Sequence, residues 1–148
     1  MKHCLIVISC LFAFLNLYAQ QPILKKDKWH WGGTEKQDTS AGYTQALRAG
    51  NTVYISGTVA LTINEDGIIN VYKGLEKSLA AFGLTFKNVV KENLYTTDIE
   101  AMKTFNYVRK RFYKGDFPAA TWVQITRLYM PEAKLEIELI AQFSSKEN

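Results

Sequence analysis

The run LEIELIA, Leu135 to Ala141, alternates: Leu135, Ile137, Leu139 and Ala141 are apolar in step, while Glu136 and Glu138 fall between them, followed by Ile140. Successive side chains of a strand point to opposite faces. The run therefore predicts a strand that buries one face and turns two carboxylates to the other. A sheet with one apolar face must be covered by another layer. The cover is legible upstream, where Val71, Leu75, Leu79 and Phe82 recur at helical spacing, with Lys73, Glu76 and Lys77 opposite and Gly83 placed to end the helix.

The remaining elements follow from similar signals. Tyr43 to Arg48 and Thr52 to Ser56 are short β-prone runs joined across Ala49-Gly50-Asn51, whose Gly and Asn accept the positive φ of a tight hairpin turn. Val89 to Thr97 predicts a strand, and Asp98 can cap a second helix in which Met102, Phe105, Arg109 and Phe112 share one side. After Pro118, Thr121, Val123 and Ile125 alternate with Trp122, Gln124 and Thr126. The order is β-β, with room for a third short strand, then α-β-α-β-β. It predicts an α+β domain, a single sheet with two helices packed on one face. With 148 residues, 47% apolar and 22% charged, the chain fits one such domain.

The first residues place Lys2 and His3 before an apolar run from Cys4 to Tyr18 that closes on Leu17-Tyr18-Ala19. This order predicts a secretory signal peptide, residues 1–19, cut after Ala19, and a periplasmic or secreted protein. The run is short of the ~20 apolar residues of a permanent anchor. Val7-Ile8-Ser9-Cys10 also resembles a lipoprotein processing site, but cutting there strands the apolar residues Phe12 to Tyr18 behind it. Both cysteines, Cys4 and Cys10, lie in this segment. A chain cut after Ala19 then has no thiol, which removes cysteine nucleophiles, disulfides and Cys-held metals. With His30 as its only histidine, a His-based metal site or a serine triad is not expected, and no cofactor is implied.

Residues 20–40 form a polar lead with Pro22, Gly32-Gly33 and scattered charge, read as a tail or linker that Trp29-His30-Trp31 pins onto the domain at 41–148. The formal charge of +4 is interleaved: Lys36, Lys73, Lys77, Lys87, Lys91 and Lys110 alternate with Glu35, Glu76, Glu92 and Glu100. Such mixing predicts a solvated surface rather than a nucleic-acid track.

Several motifs fall together in order: Gly42-Tyr43-Thr44-Gln45-Ala46, the stretch from Arg48 through Ser56-Gly57-Thr58, Val89-Val90-Lys91, Thr97-Asp98, Asn106, Phe117-Pro118-Ala119, and Leu135 to Ala141. In order and spacing they resemble the RidA family, also called YjgF, over roughly residues 41 to 143. The resemblance implies a chorismate-mutase-like fold and a homotrimer whose sheets form a central barrel, with a small-molecule ligand cleft at each subunit interface. It also implies, in deaminating members, an arginine after Pro-Ala that grips the carboxylate of a 2-imino acid, and a glutamate of the last strand that positions water.

Carried onto this chain, the ligand-binding positions are Tyr43, Ser56, Asn106, Ala120 and Trp122, and the catalytic position is Glu136. The arginine position is Ala120. A charged hydrogen bond contributes roughly 1.5 to 3 kcal/mol, about 10 to 150-fold in binding, and Ala120 supplies none of it. Trp122 adds an indole where the family is small, expected to fill the cleft. Each residue also has an ordinary structural reading: Tyr43 as strand packing, Ser56 as a turn closure, Asn106 as a loop contact, Glu136 as a solvated carboxylate. Arg127, a second cation near this end, is expected in a salt bridge. The resemblance thus implies an exported metabolite-binding protein that is a poor 2-imino acid deaminase. It leaves as alternatives an imine or enamine hydrolase of different substrate, and a ribonuclease or translation inhibitor.

Overall fold

The alternating C-terminal run becomes an inner strand of the sheet, in a computed structural model that describes residues 23–32 and 37–144. The expected signal segment, with Cys4 and Cys10, lies outside the described residues. In chain order the elements are β1 (Lys26–Trp29), β2 (Ala46–Ala49), β3 (Thr52–Ala60), α1 (Glu65–Ala80), a 3-10 turn (Phe86–Asn88), β4 (Val89–Thr96), α2 (Ile99–Thr104), α3 (Asn106–Tyr113), β5 (Ala119–Gln124) and β6 (Leu135–Gln142). The six strands form one sheet in the order β1-β2-β3-β6-β4-β5. Among the described strands only the β4–β5 pair is parallel. The α+β reading, one sheet with its helices on one face, holds. Among the described residues no helix is long and apolar enough to cross a membrane.

Leu135, Ile137, Leu139 and Ala141 are buried, with Val53, Ile55 and Leu94 of the neighbouring strands beside them. Helix α1 covers them with Ile68, Val71, Tyr72, Leu75 and Leu79. Burying such side chains contributes about 1.5–3 kcal/mol each. Asn64 caps the helix by accepting from the Gly67 N–H at 2.8 Å, and Gly83, at φ 71°, turns the chain just past its end.

Three local expectations change. The lead is not only a tail: residues 26–29 pair with β2 as an edge strand, because the backbone of β2 was free on that side. The short third strand is the continuation of β3 past an irregularity between Ile55 and Thr58. The second helix, capped by Asp98 as expected, breaks at Phe105 into α2 and α3.

The helix layer is fastened to the sheet by one buried carboxylate. Glu92 of β4 is fully buried; its Oε1 accepts from Arg109 Nε at 2.8 Å, and its Oε2 accepts from Tyr72 Oη at 3.0 Å and Tyr113 Oη at 2.7 Å. Strand β4 is thereby joined to both α1 and α3. Removing one partner of a buried pair strands the other charge, at a cost of about 3–5 kcal/mol. Arg109→Met should cost that much in urea unfolding. The double change Glu92→Gln with Arg109→Met should recover most of the loss, and equal losses in the two proteins would show that the pair is not the fastening.

Candidate functional site

The face of the sheet away from the helices carries Glu136 and Glu138. Its shape is set by the irregularity in β3: Ser56 and Gly57 sit between the paired residues Ile55 and Thr58 and step out of the ladder with β6. The Ser56 N–H donates to the Gln45 carbonyl at 2.8 Å, and Ser56 Oγ donates to the Thr44 carbonyl at 2.7 Å. A β-carbon at Gly57 would fall on the Glu136 carboxylate. Only glycine lets that carboxylate lie flat on the strand.

Glu136 is half-buried. Burial, and secondarily the charge of Glu138, pushes its carboxyl above the ordinary glutamate value. Glu138 is held in place, accepting from Asn93 Nδ2 at 2.7 Å and Tyr95 Oη at 3.2 Å. Beside it, Tyr54, Ser56, Lys91 and Asn93 help line a depression of about 180 Å³.

Tyr43 lies in a loop tied by Asp38, whose Oδ1 accepts from the Ser40 and Ala41 N–H groups at 2.8 Å. Its phenol is raised by burial, then by the charges of Asp38 and Glu136. Tyr43, Ser56 and Glu136 are therefore brought to one place.

Asn106, Ala120 and Trp122 are not. Residues Ala120 and Trp122 of β5 pair in register with Glu92 and Leu94, both buried under the helices, so their side chains lie on the helix face. Trp122 packs on Arg109, whose Cζ is 5.6 Å from its ring. Within one subunit the sheet separates the indole from Glu136. Asn106 opens α3 in the helix layer, and its Oδ1 is the one buried side-chain polar atom without a partner among the described residues. Among the described residues of the subunit Arg127 makes no salt bridge; it donates to the carbonyls of Leu128 and Tyr129. Among the described residues no group of His, Cys, Asp and Glu could hold a metal ion.

Sequence reasoning missed the supports. Gln45 is buried and links the lead to the site: its side chain accepts from Trp31 Nε1 at 2.9 Å and donates to the Ser56 carbonyl at 2.9 Å. The Gln45 N–H donates to His30 Nδ1 at 3.2 Å, and the His30 ring stands edge-on to Tyr43, with centroids 5.1 Å apart. The tryptophan–histidine triplet does pin the lead, as expected. A buried Gln following Tyr-Thr was the available signal.

A family model described as Endoribonuclease L-PSP matches residues 34–143. The chain belongs to the RidA (YjgF) family. Among RidA-family relatives, the human 2-iminobutanoate/2-iminopropanoate deaminase is 30% identical over 109 residues, 67% of this chain and 78% of that protein. The chloroplastic Reactive Intermediate Deaminase A of Arabidopsis thaliana is 32% identical over 118 residues, 73% of this chain; the match spans 63% of that longer protein. The fold is similar to a crystal structure of a Mycobacterium tuberculosis member of the YjgF/YER057c/UK114 family, with TM-score 0.70 and 25% identity over 80% of this chain and all of that one.

A carboxyl raised on folding binds its proton more tightly in the folded state. Stability then falls as pH rises from the unfolded to the folded value, and the loss remains above it. Glu136→Gln should therefore raise the melting temperature at neutral pH, with the gain shrinking as pH falls from the folded value toward the unfolded glutamate value of about 4.3 and absent below it. A gain unchanged by pH would show that Glu136 is not desolvated.

Proposed function

We propose that this chain is an exported, homotrimeric RidA-family protein that binds a small metabolite in clefts between its subunits and hydrolyses 2-imino acids only slowly. The observation that carries the reading is the pairing of a competent base with a missing anchor. Glu136 is half-buried, raised toward general-base use and laid over Gly57 beside Tyr43 and Ser56. Position 120, where the resemblance implies an arginine, is an exposed alanine. The order of Lys2, an apolar run and Leu17-Tyr18-Ala19 supports export. Assembly around the Glu136 face would give Val59 and Val123, both exposed in the subunit, a dry partner.

The chemistry available to Glu136 is hydrolytic. Its carboxylate takes a proton from water as the oxygen attacks an imine carbon. Return of that proton to nitrogen gives a carbinolamine, and transfer of its hydroxyl proton to nitrogen through the same carboxylate lets the C–N bond break, ammonia leave and the carbonyl form. A second reading, an imine or enamine hydrolase of different substrate, is favoured by the same raised carboxyl and needs no carboxylate anchor. The exposed ion pairs Arg111–Glu65 and Lys103–Glu100 neutralise cations that a nucleic-acid track would leave free, which speaks against a ribonuclease reading.

The test follows decay of a 2-imino acid generated in place by an amino-acid oxidase, on protein whose trimeric mass is checked by light scattering. Wild type should run little above the uncatalysed rate, and Ala120→Arg should gain about 10 to 150-fold. Glu136→Gln in that background should cost about 10² to 10⁴-fold. Rapid turnover by wild type would contradict the reading.

A further inference from the structure

We propose a second ligand site, for a small dicarboxylate, between the lead strand β1 and the loop 37–44, with Lys26 and Lys28 as its cations. It goes beyond the Glu136 chemistry. In the order β1-β2-β3-β6, three strand spacings separate β1 from the strand of Glu136, about 14 Å at about 4.8 Å each.

The run KDKW places the two cations together. Trp29 packs against the hydrophobic core, and successive strand residues alternate in face, so Lys26 and Lys28 share the other side. The register agrees: Lys28, Leu47, Tyr54 and Ile140 form one row across four strands, and Ile140 shares the open face with Glu136 and Glu138. Asp27, between the lysines, takes the core side and pairs with Lys25 at 3.7 Å, so it neutralises neither.

Lys28 is half-buried, and its Nζ donates at 2.6 Å to a neutral acceptor, Gln37 Oε1. Among the described residues neither Lys26 nor Lys28 has an ion pair. A lysine is rarely withdrawn from water without a counter-charge, and Gln37 takes only one of the three donors of the ammonium. What the site lacks is an anion.

Beside the lysines is a depression of about 430 Å³, the size of a small-molecule site. Leu47 lends it apolar surface, and Asp38 and Tyr43 of the loop also line it. Asp38 is the one acid in this lining, and its Oδ1 is committed to the Ser40 and Ala41 N–H groups, which leaves positive charge in excess. The Tyr43 phenol, raised first by burial, stays a protonated donor. Two residues apart on a strand, the lysine Cα atoms are separated by about 6.6–6.8 Å. A short diacid therefore gives each ammonium its own carboxylate, in charge-assisted hydrogen bonds.

Calorimetric titration of the purified protein with glutarate and with its neutral analogue glutaramide tests the proposal. Glutarate should bind saturably, and the diamide about ten-fold or more weaker, the scale of a charged hydrogen bond. Lys26→Gln and Lys28→Gln should each weaken glutarate by a similar factor, with circular dichroism reporting an intact fold. Lys25→Gln removes the same charge next to the site and should leave the affinity unchanged, which separates a built site from diffuse positive charge. Binding is read with no imine present, so the rate of hydrolysis bears on the Glu136 reading and not on this one. Equal affinity for acid and diamide, equal losses in Lys25→Gln and Lys28→Gln, or no saturable glutarate binding below about 10 mM would overturn it.

Discussion

A single buried carboxylate, Glu92, organises the subunit. It sits at 0% exposure on β4 and is satisfied by three donors, Arg109, Tyr72 and Tyr113, from the two long helices. An unpaired carboxylate at this depth would be strongly unfavourable, so the helices must dock where all three donors meet it. Apolar burial supplies the larger share of the free energy of docking, but it is not directional. The Glu92 cluster fixes the position of the helix layer, and the aromatic group of Tyr72, Phe86, Phe112 and Tyr113 packs around it with ring centroids 5.1 to 6.1 Å apart.

That arrangement divides the chemistry of the molecule between two faces. On the open face, the step in β3 at Ser56 and Gly57 makes room for the Glu136 carboxylate, and burial, helped by the charge of Glu138, keeps its proton affinity high. On the helix face, β5 lies over the Glu92 pair, so Ala120 and Trp122 face Arg109 and not Glu136. A subunit therefore carries the Glu136 base on one side, with Lys91 in the depression beside Glu138, and the Arg109–Glu92 pair on the other. Bringing any further group to Glu136 requires a residue from outside the subunit, which is the physical content of the proposed interfacial cleft.

The alternation of 135–141, the period of 71–82 and the positive φ of Gly50 and Gly83 were all legible, because each is a local signal that burial amplifies. The face that Glu136 takes was legible too, but its raised carboxyl was not, since a polar residue opposite Leu135 and Ile137 can meet either water or another surface. What the sequence hid was register. β5 is amphiphilic on both faces, with Val123 on one and Trp122 on the other, so periodicity alone could not say which face the indole takes; pairing of Trp122 with Leu94 decides it. The strand at 26–29 reads KDKW, a polar run with no burial signal, and it is a strand only because β2 offers a free edge. Glu92 read as one of the interleaved surface charges and Arg109 as part of the apolar side of the second helix, and nothing paired them until the sheet and α3 brought them together.

The central claim is that Arg109 is locked to Glu92 in the interior. The most direct measurement is solvent exchange of the arginine side-chain Nε–H groups, resolved by nitrogen-15 NMR. Buried, hydrogen-bonded protons exchange only through opening of the structure. The Arg109 Nε–H should exchange far more slowly than those of Arg48 and Arg111, and Glu92→Gln should remove much of that protection. Exchange at Arg109 as fast as at Arg111, whose side chain is 60% exposed, would contradict the account.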